Sequence, residues 1–254
     1  SLIFGSTSTI VMRTTLSILA AGLALLSACN NPDTKGNARA SMDTSFTIQG
    51  HITGVDSGYV YFLDYESDGH GADSAKVENG AFAFKGKAEY PHYYYFGIRK
   101  DGQLEFRNGL FAENTTVRIT GHKDSTDKLS ITGGPVQTEY AAFLLGKKKL
   151  QAEEEQASKL YEQFQASNDK KGLDSVMKLF QAFEAKEKEM VKSYAKANPS
   201  SPVSAFELYQ TFIMNPEYKE LDSCFNFLSE DMRKSFFGKK LAETLATAKN
   251  TAIG

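Results

Sequence analysis

The sequence predicts an α+β fold: an N-terminal antiparallel β-sandwich-like domain followed by a helical hairpin and short helices. Between Phe46 and about Gly134, short alternating apolar runs are broken by Gly, Asp and Asn, as in an antiparallel sheet. After Gly133-Gly134-Pro135 the turn residues thin out, and apolar residues recur at helical spacing up to Asn198-Pro199. A third stretch, residues 12–29, lies ahead of both halves and carries an apolar run from Leu16 to Leu26.

That stretch, Met12 to Cys29, reads MRTTLSILAAGLALLSAC. It has a positive charge at Arg13, an apolar run and small residues before the cysteine, the pattern of a secretory signal peptide. Leu16–Ala28 covers 13 residues, short of the about 20 that a helix needs to cross a bilayer. Met12 is the expected start, and residues 1–11 fit no part of the signal. Leu26-Ser27-Ala28-Cys29 resembles the bacterial lipobox, which implies that Cys29 is lipidated and becomes the mature N-terminus. Two or three acyl chains on one residue give a lasting anchor, because each buried CH₂ contributes about 0.8 kcal/mol. Residues 30–45, NNPDTKGNARASMDTS, are polar and aperiodic and are expected to form a flexible tether. Its typical reach is about 20–25 Å.

In the β domain, 46–134, candidate strands are 46–53, 58–65, 73–78, 81–87, 93–99, 103–112, 116–121 and 128–132. Asn79-Gly80 is the strongest turn signal, since a type I′ hairpin turn needs positive φ at both central residues. Phe82 and Phe84 fall on one face of their strand and Ala81 and Ala83 on the other. In the helical region, 135–254, Leu173, Val176, Phe180, Phe183, Glu187, Met190 and Tyr194 form one stripe. Phe143, Leu150, Ala157, Leu160 and Phe164 form another, and Ser167–Gly172 between the two reads as a loop. Ser201-Pro202 starts a helix running to about Met214, and Asn215-Pro216 starts another. The balanced Lys/Glu run on the hairpin reads as a solvated face.

The 254 residues carry 29 Lys and Arg against 31 Asp and Glu, with a formal net charge of -2. No basic stripe is present, so a nucleic-acid partner is not expected. With two cysteines, Cys29 and Cys224, there is neither a disulfide framework nor a CxxC pair. The histidines His51, His70, His92 and His122 lack metal-ligand spacing, and no metal or cofactor is expected. Asp64-Tyr65-Glu66-Ser67-Asp68-Gly69 matches the first half of a calcium loop, but Ala75 stands where a bidentate Glu is needed, so an acidic hairpin loop is expected. Cys224 lies on an expected helix between Leu221 and Phe225 and reads as a buried small hydrophobe, not a nucleophile. No GxSxG or phosphate-binding glycine pattern occurs, and no catalytic residue is assigned. The aromatic run Tyr90–Phe96 reads as a core strand with tyrosines at a wet edge, and also as a stacking surface for a sugar or peptide.

Three segments, Phe46–Ile52 (FTIQGHI), Tyr59–Leu63 (YVYFL) and Asp73–Gly86 (DSAKVENGAFAFKG), precede the helical Ser201-Pro-Val-Ser-Ala-Phe206. Together with the lipobox and tether they resemble domain of unknown function 4369, over about residues 46–254. This domain is typical of Bacteroidetes envelope lipoproteins. It commonly forms the N-terminal part of thioredoxin-like thiol:disulfide interchange proteins related to the alkyl hydroperoxide reductase and thiol-specific antioxidant group. In those relatives a CxxC-bearing thioredoxin fold follows the helices; no residue here matches that motif, so no catalytic residue carries over. The resemblance implies a non-catalytic module, lipid-anchored to the outer membrane on its periplasmic face, that accompanies or positions a thioredoxin-like domain or protein. The alternative is a stand-alone envelope lipoprotein that binds a glycan or peptide through Tyr93, Tyr94 and Tyr95.

Overall fold

The computed structural model describes residues 44–67, 72–100, 103–104 and 108–252. The signal peptide with Cys29, nearly all of the tether, and His70 lie outside the described residues. Among the described residues nine strands come first: β1 (Ser45–Thr53), β2 (Ser57–Asp64), β3 (Asp73–Glu78), β4 (Ala81–Lys87), β5 (His92–Lys100), β6 (Gln103–Leu104), β7 (Asn108–Ala112), β8 (Thr116–His122) and β9 (Ser130–Thr132). Six helices follow: α1 (Pro135–Ala166), α2 (Lys170–Ala197), α3 (Pro202–Phe212), α4 (Tyr218–Phe225), α5 (Glu230–Lys234) and α6 (Phe236–Ala252). The α+β order read from the sequence is therefore the order of the fold.

The strands form one sheet in the order β6-β5-β2-β3-β4-β1-β8-β9, with β7 also paired to β5. All pairs are antiparallel except β1 with β8, which run parallel in the register Ile48 opposite Val117 and Gly50 opposite Ile119. The sheet is nearly barrel-like: its inner face closes on a single core in which Phe46, Ile48, Val60, Phe62, Phe96, Leu110 and Ile119 are buried. Alternation supplies that face. In β4, Phe82 and Phe84 are buried while Ala81 and Ala83 are exposed. The Phe62 and Phe84 rings stack at 4.6 Å between centroids. The Asn79-Gly80 turn has φ of 51° and 79°, the positive pair that a type I′ turn requires.

The outer face of β5 and β7 is covered by helices. Tyr93 and Phe111 enter a second core with Val136 and Tyr140 of α1, Val191 of α2, and Phe206 and Leu208 of α3. Tyr93 stacks on Phe206 at 4.0 Å between centroids. The Phe111 N–H donates to Gln137 Oε1 at 2.8 Å, so the helix satisfies a donor on the side of β7 that, among the described residues, has no ladder partner. The first turn of α1 is fixed from the sheet as well: Val136 N–H donates to the Glu113 carboxylate at 2.9 Å, an anion placed where the helix dipole favours one.

The hairpin of α1 and α2 turns more tightly than the sequence reading implied. Only Ser167, Asn168 and Asp169 lie between the helices; Lys170, Lys171 and Gly172 form the first turn of α2. Asn168 takes φ of 54°, and Asp169 caps α2 by accepting from Gly172 N–H at 3.0 Å. Gly172 is packed under the Phe164 ring, where a Cβ would collide with it. At its other end the hairpin is tied to α3 by Lys147, whose Nζ lies 2.6 Å from Glu187 and 3.2 Å from the buried Glu207. α3 begins as expected, with Ser201 Oγ accepting from Val203 N–H at 3.0 Å and Pro202 in the first turn.

Candidate functional site

The most chemically loaded part of the molecule is the end of β2, where two carboxylates two residues apart meet opposite environments. Asp64 closes the strand. Its Oδ1 accepts from the Glu66 N–H at 2.9 Å, making a local turn. Its Oδ2 lies 3.0 Å from His92 Nδ1 and accepts from the Tyr94 hydroxyl at 3.3 Å. Burial alone would raise this carboxyl, but the bonds from His92, Glu66 N–H and Tyr94 hold it below the ordinary value. His92 is correspondingly raised: burial disfavours its cation, and Asp64, Glu66 and Glu89 outweigh that effect.

Glu66 sits in the turn beyond the strand and lacks such a set of donors. Its Oε1 accepts a long bond from Tyr93 N–H, 3.4 Å, and its Oε2 is buried with no hydrogen-bond partner among the described residues. Burial pushes this carboxyl up to about 7; His92 pulls it down, and the neighbouring Asp64 pushes it further up. The Tyr90 hydroxyl weakly favours the anion without reaching hydrogen-bond geometry to Oε2.

Glu66 opens onto a cleft of about 400 Å³ between this rim of the sheet and the corner joining α5 to α6. Tyr90 and Phe111 supply the sheet side; Met232, Phe236 and Phe237 supply the helix side. The corner is tight because Gly238 packs against the Met232 and Arg233 carbonyls, where no Cβ fits. Ser235 Oγ bridges the two helices, donating to Met232 O at 2.6 Å and accepting from Gly238 N–H at 3.3 Å. Asp231, Lys234 and Lys239 stand exposed at the mouth. A mostly apolar concavity of this size with one half-buried carboxyl has the form of a small-molecule site.

The three tyrosines singled out in the sequence do not form one surface. Alternation sends Tyr93 outward and Tyr94 inward, and each face is covered: Tyr93 is 4% exposed and Tyr94 6%. Their hydroxyls are committed, Tyr93 to Tyr140 at 3.2 Å and Tyr94 to Asp64. Tyr95 is half-buried against Tyr65 and Tyr93. The wet edge expected of this strand is occupied by the helices. Among the histidines, His51 is exposed on β1, His122 accepts from Asp124 N–H at 3.1 Å, and His92 serves Asp64. Among the described residues no three His, Cys, Asp or Glu side chains converge to hold a metal ion. Cys224 is buried in α4, and burial pushes its thiol up to about 11. The sequence placed Glu66 in an acidic hairpin loop and assigned it no separate role, because the other wall of its cleft comes from α5 and α6, some 170 residues later in the chain.

Residues 46–140 match the family model described as "Domain of unknown function (DUF4369)". The match covers the whole sheet and the start of α1, ending at the tyrosine that meets Tyr93. It includes Asp64, Glu66, Tyr90 and His92 but not the helical side of the cleft. No curated protein matches the chain.

Proposed function

We propose that this chain is a non-catalytic, lipid-anchored module of a bacterial cell envelope, held through Cys29 on the periplasmic face of the outer membrane, that accompanies or positions a thioredoxin-like thiol:disulfide oxidoreductase domain. The observation that carries the reading is the match of the entire sheet to the 4369 family, a domain that resemblance links to such proteins. The lipobox Leu26–Cys29 supports the anchor. The sealed thiol of Cys224 supports a non-catalytic part in thiol chemistry, because exchange needs an accessible thiolate. On this reading the sheet and helices form a rigid holder, and the exchange chemistry belongs to the domain they accompany.

Insulin reduction tests the redox association on two preparations, this chain alone and the chain continued through whatever its gene encodes beyond Gly254. Turnover confined to the longer protein is the expected result. A gene that stops at Gly254, together with a chain that does not accelerate reduction by an added thioredoxin-like partner, would sink the association. Labelled-lipid incorporation that vanishes in Cys29→Ser tests the anchor separately. The second reading, an envelope lipoprotein that binds a ligand through its β domain, is favoured by one observation, the cleft at Glu66, and not by a shared tyrosine surface.

A further inference from the structure

We propose that the cleft between the β2 end of the sheet and the α5–α6 corner binds a small primary amine on an apolar body, with the Glu66 carboxylate receiving the ammonium. This goes beyond the anchored-module reading and does not depend on it. Three observations converge. Among the described residues Glu66 Oε2 is a buried acceptor that no donor reaches at hydrogen-bond geometry, with the Tyr90 hydroxyl the nearby one, a condition that a bound donor relieves. The cleft is lined by Tyr90, Phe111, Met232, Phe236 and Phe237, which suit an apolar body. The volume, about 400 Å³, matches a compact organic molecule and not a polymer chain.

The charge pattern selects the head group. A ligand carboxylate would be repelled by Glu66 and Asp64, whereas an ammonium returns to Glu66 the solvation that burial removed. A neutral hydroxyl satisfies the same lone pair without compensating the charge. The groups that act on Glu66 are Asp64, Tyr90 and His92 from the sheet; Glu89 acts on Tyr90 and His92, and Asp231, Lys234 and Lys239 line the same cleft from the helices, exposed to solvent. Since the Glu66 carboxyl gives up its proton around pH 7 and a simple alkylamine keeps its own to about pH 10, binding strengthens from pH 5.5 to 8.

The chain contains no tryptophan, so Lys239→Trp places a single indole at the mouth of the cleft. Emission of this full-length variant is titrated at pH 8 with 2-phenylethylamine and with its uncharged counterpart 2-phenylethanol. The amine is expected to bind at least about tenfold more tightly, the range of a hydrogen bond to a charged group. Adding Glu66→Gln is expected to abolish that preference while the far-ultraviolet circular dichroism is unchanged. Lowering the pH to 5.5 weakens the amine by about tenfold and leaves the alcohol unaffected. Calorimetry on the unsubstituted chain repeats the comparison without the reporter. Equal affinity for the two probes, a preference that survives Glu66→Gln, or no saturable binding of the amine in calorimetry each overturns the proposal.

Discussion

The sheet with its helical cover and the far half of the α1–α2 hairpin are built from the same kinds of residue but differ in how much each residue encloses. On the sheet, one face of β5 feeds the inner core and the other feeds the helical core, so Tyr93 and Tyr94 are both buried though adjacent in sequence. In the far hairpin, the buried apolar side chains are those of Ala157, Val176 and Phe183, with Leu150, Tyr161, Phe164 and Phe180 partly buried. Leu160, Met177 and Leu179 on the same helices are 40% or more exposed. A helix pair supported by a stripe one residue wide opens locally at little cost, whereas a strand buried on both faces opens only when the domain unfolds. The hairpin tip should therefore exchange its amide protons far faster than β2 or β5.

The hardest way to break this contrast is Phe62→Ala, which removes the ring at the centre of the inner core. It is expected to cost about 3–5 kcal/mol, visible as a lower urea midpoint and as lost protection throughout the sheet. Next is Lys147→Ala, at the junction between the regions, which leaves the carboxylate of Glu207, 3% exposed, without its cation. A loss of about 3 kcal/mol is expected, together with faster exchange in α1 and α2 relative to the sheet. If α1 and α2 keep their protection, the hairpin is not anchored through this pair.

Glu66→Gln works in the opposite direction. The folded-state pKa of about 7 lies above the ordinary 4.5, so between these values the native protein holds a proton that the unfolded chain has released. The stability linked to Glu66 is therefore full below about pH 4.5 and declines as pH rises to about 7. Gln removes that decline, and a gain of about 2 kcal/mol over the parent is expected at pH 8, allowing for partial exposure of the carboxyl. Urea midpoints measured from pH 5 to 8 check it; parallel profiles for the two proteins contradict the assignment. The smallest effect is Asp169→Ala, which deletes the cap of α2 and is expected to cost about 1 kcal/mol. That loss should appear in hydrogen exchange around the turn and leave the sheet untouched.

The strands were readable because alternation and turn chemistry are local: Asn79-Gly80 needs nothing beyond its own backbone preference, and Phe82 and Phe84 declare their face within four residues. The parallel pairing of β1 with β8 was not, since no local signal records which strand returns to which after some 70 residues. The run Ser167–Gly172 read as loop because Asn, Asp, Lys and Gly are all tolerated in turns; only the capping geometry of Asp169 shows that the helix resumes at Lys170. At the candidate site the acidic residues were visible and the fate of each was not. Asp64 is supplied with donors by β5, and Glu66 is roofed by helices from the end of the chain. The tyrosine run misled for the same reason: a strand's pattern tells which residues share a face, not whether another element covers it.

The position of β1 has a mechanical consequence. The first described strand is an inner one, hydrogen-bonded along its length to β4 on one side and β8 on the other. A pull on the chain ahead of Ser45 runs along the axis of this strand, so it shears both ladders at once and must break their hydrogen bonds together. An edge strand peeled sideways would yield them one by one. A domain held against a flowing or moving surface through its N-terminal side thus carries the load on the strand best placed to resist it.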